Sequence, residues 1–258
     1  MCLAIVALNM HPRYALVVAA NRDEYHARPT ASAQWWTGDE RTPLLAGRDL
    51  EAGGTWLGVT RSGRWAFVTN VREGGRHDPA APSRGSLVPR VLRDTRDPQS
   101  ALSSAIADAQ HYNGFNLMAG DVASACWGSN RGEKGCSLTS GVHGLSNARL
   151  DTPWPKLART QAGVASWAQE ACDDIEPLFA LLADRARARD DELPETGVSL
   201  EWERVLSAPF ITGERYGTRC STVLSISREG EARFVEQSFD PRGEPARRVD
   251  TTFTLMAA

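Results

Sequence analysis

No stretch of this 258-residue chain approaches ~18 consecutive apolar residues, so no membrane-spanning helix is expected. There is no basic excess. The 29 Lys and Arg face 32 Asp and Glu, a formal net charge of −3, which argues against a dedicated nucleic-acid surface. The five cysteines are Cys2, Cys126, Cys136, Cys172 and Cys220. Their number is odd and no pair has Cys-x-x-Cys spacing, so a disulfide framework is not expected. No His, Cys, Asp or Glu residues cluster at useful spacing, and no metal site is expected. The first residues lack the basic region, long apolar core and cleavage site of a secretory signal. Their apolar run stops at Asn9, His11 and Arg13, and a cytoplasmic protein is expected. A βαβ alternation with a glycine-rich dinucleotide loop is also missing, as are internal repeats and low-complexity tracts.

What is present is an ordinary globular composition, 41% hydrophobic and 24% charged. The length admits one large domain or two small ones. Residues 2–8 and 14–20 are short, aliphatic and nearly continuous in apolarity. They read as two strands of a hairpin, buried on both faces. The second run stops at Asn21-Arg22-Asp23-Glu24. Residues 25–43 read mainly as loop, and 44–46 as a short strand. Residues 65–70 return from the turn at 61–64 and again end in polar residues, Thr69, Asn70 and Arg72. The segment 73–85 reads as an exposed loop. Helical spacing follows from Ser86, and Asp97-Pro98 caps a second helix to about Ala109. Strands are expected at 115–120, 122–128 and near 137–139, then a helix that Pro153-Trp154-Pro155-Lys156 starts and that runs to about 169, and another over 174–188. The latter would carry Arg185, Arg187 and Arg189 in its last turns. The polar stretch 190–200 reads as a variable loop. Strands at 221–228, 231–239 and 246–255 complete an α+β pattern of helix layers outside stacked sheets.

Two polar features then sit at one end of the first hairpin. Removal of Met1 would leave Cys2 with a free α-amine. Such amines titrate at ~7.7–8.0, so this one could take the proton of its own thiol. One residue would then supply nucleophile and base. Free cysteines also serve simply as packing. Arg22, Asp23 and Asn70 end apolar strands, Asn147 follows one and Arg219 precedes one. Converged on Cys2, they would provide cations for a thiolate, a carboxylate for the ammonium and amides for an oxyanion. Taken singly, each also fits a surface cap or turn.

The motifs Met1-Cys2, AANRDE with Arg28-Pro29, GGTWLG at 53–58, Thr69-Asn70, Arg84-Gly85, YNGFN at 112–116, HGLSN at 143–147, DTPWPK at 151–156 and YGTR at 216–219 occur together and in order. On them the chain resembles the transport-and-Golgi-organisation-2 (NRDE) family, and through it the cysteine branch of the N-terminal-nucleophile hydrolases. That resemblance implies a single domain over 1–258 with a four-layer αββα sandwich, two mainly antiparallel sheets flanked by helices. It also implies roles: Cys2 as nucleophile and base, Asp23 holding its ammonium, Arg22 and Arg219 polarising the thiol, Asn70 and Asn147 serving the oxyanion or orienting the amine. One departure stands out. Arg22 and Asp23 are adjacent here but two residues apart in that branch. Adjacent residues on a regular strand point to opposite faces, so either the strand bends there or only one of the two reaches the site.

Two functions of different kind follow from the resemblance. One is amide hydrolysis or acyl transfer on a small acylated amine, which requires no cofactor. The other is a carrier of haem or acyl-CoA, for which His26, His77, His111 and His143 offer axial ligands and Arg22, Arg28, Arg48, Arg72, Arg84 and Arg219 offer phosphate contacts.

Overall fold

The structure is a computed structural model that describes residues 3–37, 42–132 and 134–256. From the N-terminus come strands β1 (Leu3–Leu8), β2 (Tyr14–Tyr25), β3 (Thr30–Trp35), β4 (Leu44–Asp49), β5 (Leu57–Thr60) and β6 (Trp65–Asn70). Helices α1 (Leu87–Leu92) and α2 (Pro98–Ala107) follow, then β7 (Phe115–Gly120), β8 (Ala125–Ser129), β9 (Cys136–Ser137) and β10 (Gly141–Leu145). Helices α3 (Pro155–Gln169), α4 (Glu176–Leu182) and α5 (Leu200–Leu206) precede β11 (Tyr216–Ser227), β12 (Glu231–Phe239) and β13 (Pro245–Thr254).

The strands form two antiparallel sheets. One has the order β10-β1-β2-β11-β12-β13 and the other runs β3 to β9 in sequence. Alternation along each strand then builds three cores. Val6, Leu16 and Val18 meet Leu57, Phe67 and Trp127 between the sheets. Ile5, Val17 and Ala19 face the other way, onto Leu157 and Val164 of α3 and Leu178 of α4. Val68 and Leu117 pack on Val88 and Val91 of α1 and Leu102 and Ile106 of α2. Three cores separate four layers, so the molecule is an αββα sandwich. The double burial of β1 explains why its sequence is apolar on both faces. Asp97 caps α2 as expected, its carboxylate accepting from the Ser100 amide at 2.9 Å.

Several boundaries differ from the sequence reading, each for a tertiary reason. β2 continues through the polar cluster to Tyr25 because β11 pairs with it out to Tyr216–Tyr25, completing the ladder for polar residues too. β3 is a strand where a loop was expected, since β4 supplies its hydrogen bonds. Helix α4 stops at Leu182, so Arg185, Arg187 and Arg189 lie beyond it. There Asp184 turns the chain, taking the Ala186 N–H on its side chain at 2.8 Å and the Phe210 N–H on its carbonyl at 2.8 Å. The 190–200 stretch is tied down rather than loose. Asp190 pairs with Arg204, and the Thr196 carbonyl accepts from Gly74 N–H at 2.8 Å. No described helix is long and apolar enough to cross a membrane.

Candidate functional site

The end of β2 obeys the alternation of the rest of the strand. Residues 16, 18 and 20 face the other sheet, and Arg22 follows them. Its guanidinium is buried 4.3 Å above the ring of Trp56 and donates to Thr30 Oγ1 at 3.0 Å. Trp56 reaches this position because residue 47 is glycine. A Cβ there would lie 2.3 Å from the indole. Among the described residues no carboxylate forms an ion pair with Arg22. A cation stacked on an aromatic face is stabilised by the ring quadrupole yet keeps its full charge for a ligand.

Residues 17 and 19 face α3 and α4, and Asn21 and Asp23 follow them. Asn21 is fully buried. Its amide donates to the carbonyls of Leu182 (2.8 Å) and Pro209 (2.9 Å), and its oxygen accepts from Ser221 Oγ at 2.6 Å. Asp23 Oδ1 accepts from Thr218 Oγ1 at 2.7 Å, and Thr218 Oγ1 in turn accepts from the Ile211 N–H at 2.9 Å. The strand therefore does not bend at the Arg22-Asp23 pair. The irregularity lies in its partner: Thr218 pairs with Asp23 and Cys220 with Arg22, leaving Arg219 as the extra residue of a β-bulge.

Arg219 uses one guanidinium nitrogen to bind three carbonyls, those of Tyr25 (3.0 Å), His26 (3.4 Å) and Arg28 (3.1 Å). It clamps the turn after β2. Burial, and then the charge of Arg22, hold its pKa below the ordinary arginine value. Asn70 ends β6 and lines a cleft of about 380 Å3 together with Arg22, Trp56, Glu24, His77 and Arg84. Arg28 and Asp49 line it too, already paired at 2.8 Å. Burial raises the Asp49 carboxyl, but Arg28 and two backbone N–H groups outweigh it and leave the pKa low. Asn147 is buried beside this cleft rather than in it. Its amide donates to the Asn70 carbonyl at 3.0 Å, and its own carbonyl accepts from Arg72 N–H at 2.8 Å.

Of the site residues expected from sequence, Arg22 and Asn70 thus share the cleft, and Asn147 and Arg219 brace its walls. Asp23 lies on the opposite face of β2. Cys2 lies outside the described residues; β1 opens at Leu3, paired with Asn21.

Sequence reasoning missed the residues that seat Arg22. Trp56 stood in the GGTWLG motif with nothing to join it to Arg22, and Thr30 lay in an expected loop. Glu236 was not noticed at all. It is fully buried between the sheets, accepts the Ala33 N–H at 2.8 Å, and burial pushes its pKa up to about 7. Its neighbour Cys220 is likewise raised by burial, which makes that thiol a poor nucleophile. Alternation alone would have placed Glu236 on the inner face with Ala232 and Phe234, the one signal available.

A family model described as Transport and Golgi organisation 2 matches residues 1–241. The mouse Transport and Golgi organization 2 homolog is 32% identical over 259 residues, covering 92% of this chain and 93% of its own. The Drosophila melanogaster Transport and Golgi organization protein 2 is 26% identical, covering 95% of each. Among solved structures, the mutant C2A conjugated bile acid hydrolase from Clostridium perfringens superposes with a TM-score of 0.52 at 9% identity, over 100% of this chain and 98% of that one. A Caenorhabditis elegans ortholog of N-acylethanolamine-hydrolyzing acid amidase gives 0.50 at 12% identity, over 86% and 92%. At such identities the likeness is one of fold, that of the N-terminal-nucleophile hydrolases.

Proposed function

The chain belongs to the Transport and Golgi organisation 2 family, and from that premise we propose that it cleaves the C–N bond of a small acylated amine, or transfers its acyl group, with Cys2 as nucleophile. The observation that carries this reading is the buried guanidinium of Arg22, which has no ion-paired carboxylate among the described residues, in a cleft that also holds Asn70, on the strand paired with the start of β1. A fixed cation in a water-poor site favours a thiolate or an oxyanion over their neutral forms. The reading requires Cys2 on the face of Ala4, Val6 and Leu8, the face that Arg22 shares.

In this scheme the α-amine of Cys2 takes the thiol proton and the thiolate attacks the amide carbon. The carbonyl oxygen becomes an oxyanion that Asn70 and Arg22 stabilise. Collapse breaks the C–N bond, and the leaving amine takes the proton from the α-ammonium. Water then attacks the thioester, giving its proton to the α-amine, and the thiol returns as the acid departs. Asp23 holds the ammonium form, a main-chain group that either face of a strand can reach. Asn147 acts through Asn70, and Arg219 through the turn that it clamps. The name of one superposed enzyme, an N-acylethanolamine-hydrolyzing acid amidase, agrees with this substrate class, and that of the other, a conjugated bile acid hydrolase, agrees with hydrolysis.

Intact mass and electrophile labelling test it. The expected result is a chain lacking Met1 with one fast-labelled thiol, lost in Cys2→Ala. A retained Met1 with an unreactive Cys2 overturns it.

One observation favours a second reading, a carrier of haem or acyl-CoA: His77 and Arg84 both line the same cleft. An imidazole there offers an axial ligand and the guanidinium a phosphate contact. That reading expects stoichiometric haem or acyl-CoA binding that survives Cys2→Ser and, for haem, falls in His77→Ala. The absence of saturable binding in a spectral or calorimetric titration counts against it.

A further inference from the structure

The YNGFN motif at 112–116 has no part in the chemistry above, yet each of its first three residues holds one point of the chain between β6 and α1. Tyr112, Asn113 and Gly114 form the turn into β7. Asn130, at the end of β8, pins that turn. Its amide donates to the carbonyls of Tyr112 (3.1 Å) and Ala109 (3.3 Å), and its oxygen accepts from the Phe115 N–H at 2.9 Å. The turn is thus a fixed anchor.

The 71–86 segment hangs on it. The Gly114 carbonyl accepts from the Val71 N–H at 2.9 Å and from Arg84 Nη1 at 3.1 Å. The Tyr112 and Ser86 hydroxyls share a hydrogen bond of 3.0 Å. Between these ends stands Asn113. Its oxygen accepts from the Asp78 N–H at 2.9 Å and its amide donates to the Asp78 carbonyl at 2.8 Å. One side-chain amide therefore pairs with a residue's main chain as a neighbouring strand would.

Such a clamp is needed because residues 77–82 have little else to hold them. Pro79 and Pro82 lack N–H groups, so no regular ladder can form. The Ala80 and Ala81 N–H groups turn back onto Asp78 itself. Among the described residues, Asn113 is the one hydrogen-bond partner of 77–82 outside that segment. Yet His77, Asp78, Pro79, Ala81 and Pro82 line the same cleft as Arg22, Trp56 and Asn70. At about 380 Å3 that cleft is near the lower end of the ~300–1,000 Å3 of small-molecule sites. Where this wall stands decides how large a group can enter.

We propose that Asn113 is a positioning residue that sets the specificity of the cleft: by clamping Asp78 it fixes 77–82 as a wall that admits small acyl or amine groups and shuts out bulky ones. The proposal rests on the reading that Cys2 reacts in this cleft, and it narrows the substrate class to compact acylated amines.

The full chain is labelled with iodoacetamide and with its N-naphthyl derivative, each rate being divided by that of free cysteine. Wild-type Cys2 should take the small probe at least about tenfold faster. In Asn113→Ala the ratio should fall to about threefold or less, with the iodoacetamide rate changed by no more than about twofold. Hydrogen exchange at the Asp78 N–H should speed by about tenfold or more. Asn113→Asp, which keeps the acceptor and loses the donor, should fall between, and carries the test if Asn113→Ala does not fold. His11→Ala, a buried change at the far end of the first hairpin, should leave the ratio as it is. Unchanged Asp78 exchange overturns the proposal, as does an unchanged ratio with faster exchange, or equal narrowing in His11→Ala. Wild-type Cys2 that takes neither probe sinks the Cys2 reading instead. The wall is then read at Arg22 with methylglyoxal and phenylglyoxal, where Asn113→Ala should narrow the ratio likewise and an unchanged ratio overturns the wall.

Discussion

The two faces of β2 make four consecutive residues do opposite things. On the helix side, Asn21 and Asp23 are joined to α4, to the 207–211 segment and to β11 by short hydrogen bonds, so their side chains hold layers together. On the sheet side, Arg22 and Glu24 line a cleft, and Arg22 stacks on a ring and donates to a hydroxyl. A period-two strand divides the Asn-Arg-Asp-Glu motif into an architectural half and a ligand-facing half. Motif membership therefore does not by itself place a side chain in the cleft.

Substitutions on the two faces should separate cleanly. Asn21→Ala should cost most in stability, roughly 3 kcal/mol or more by chemical denaturation, because two buried carbonyls and a hydroxyl each lose a partner at about 1–3 kcal/mol. A loss under ~1 kcal/mol would erase the distinction between the faces. Arg22→Leu should show the reverse pattern. Leucine still covers Trp56, so stability should change by about 1 kcal/mol or less, while Cys2 labelling slows by about tenfold or more. A large loss of stability with unchanged labelling would make Arg22 architectural too.

A pH-dependent effect belongs to Glu236, the buried acid on the inner face. Its folded pKa, about 7, is above the ordinary 4.5, so the folded state holds the proton more tightly. That contribution is full below about pH 4.5 and is lost as pH rises through about 7. Glu236→Gln should flatten this part of the stability profile, read as the urea midpoint against pH. An unchanged slope would show that another group carries it.

How far the sequence revealed all this depends on the kind of signal. Continuous aliphatic runs at 3–8 and 14–20 betrayed strands buried on both faces, and Asp97-Pro98 betrayed a helix start. In both cases the cause lies within a few residues. Strand β3 left no such mark, and the short helix α5 left only its cap, Ser199, whose hydroxyl accepts the Trp202 N–H at 3.3 Å. β3 is half-buried and held by β4, and α5 is also tied by Glu203 to Arg72, far along the chain. The site followed the same rule. Arg22 and Asn70 could be singled out as polar ends of apolar strands. Trp56 beneath Arg22 and Glu236 behind it could not, because nothing near them in sequence announces a partner.

The chain alone determined the layer order, the family and the polar strand ends, since these rest on periodicity and on local motifs. Only the tertiary structure decided which of Arg22 and Asp23 faces the cleft. Adjacency says that they diverge, and the two neighbouring layers say in which direction. It also decided where the backbone irregularity falls, in β11 at Arg219 rather than in β2, because a bulge is a property of two paired strands. The packing of the 195–197 segment on residue 74 is likewise tertiary: a Cβ on Gly74 would lie 2.1 Å from the Gly197 backbone, a contact between segments distant in sequence.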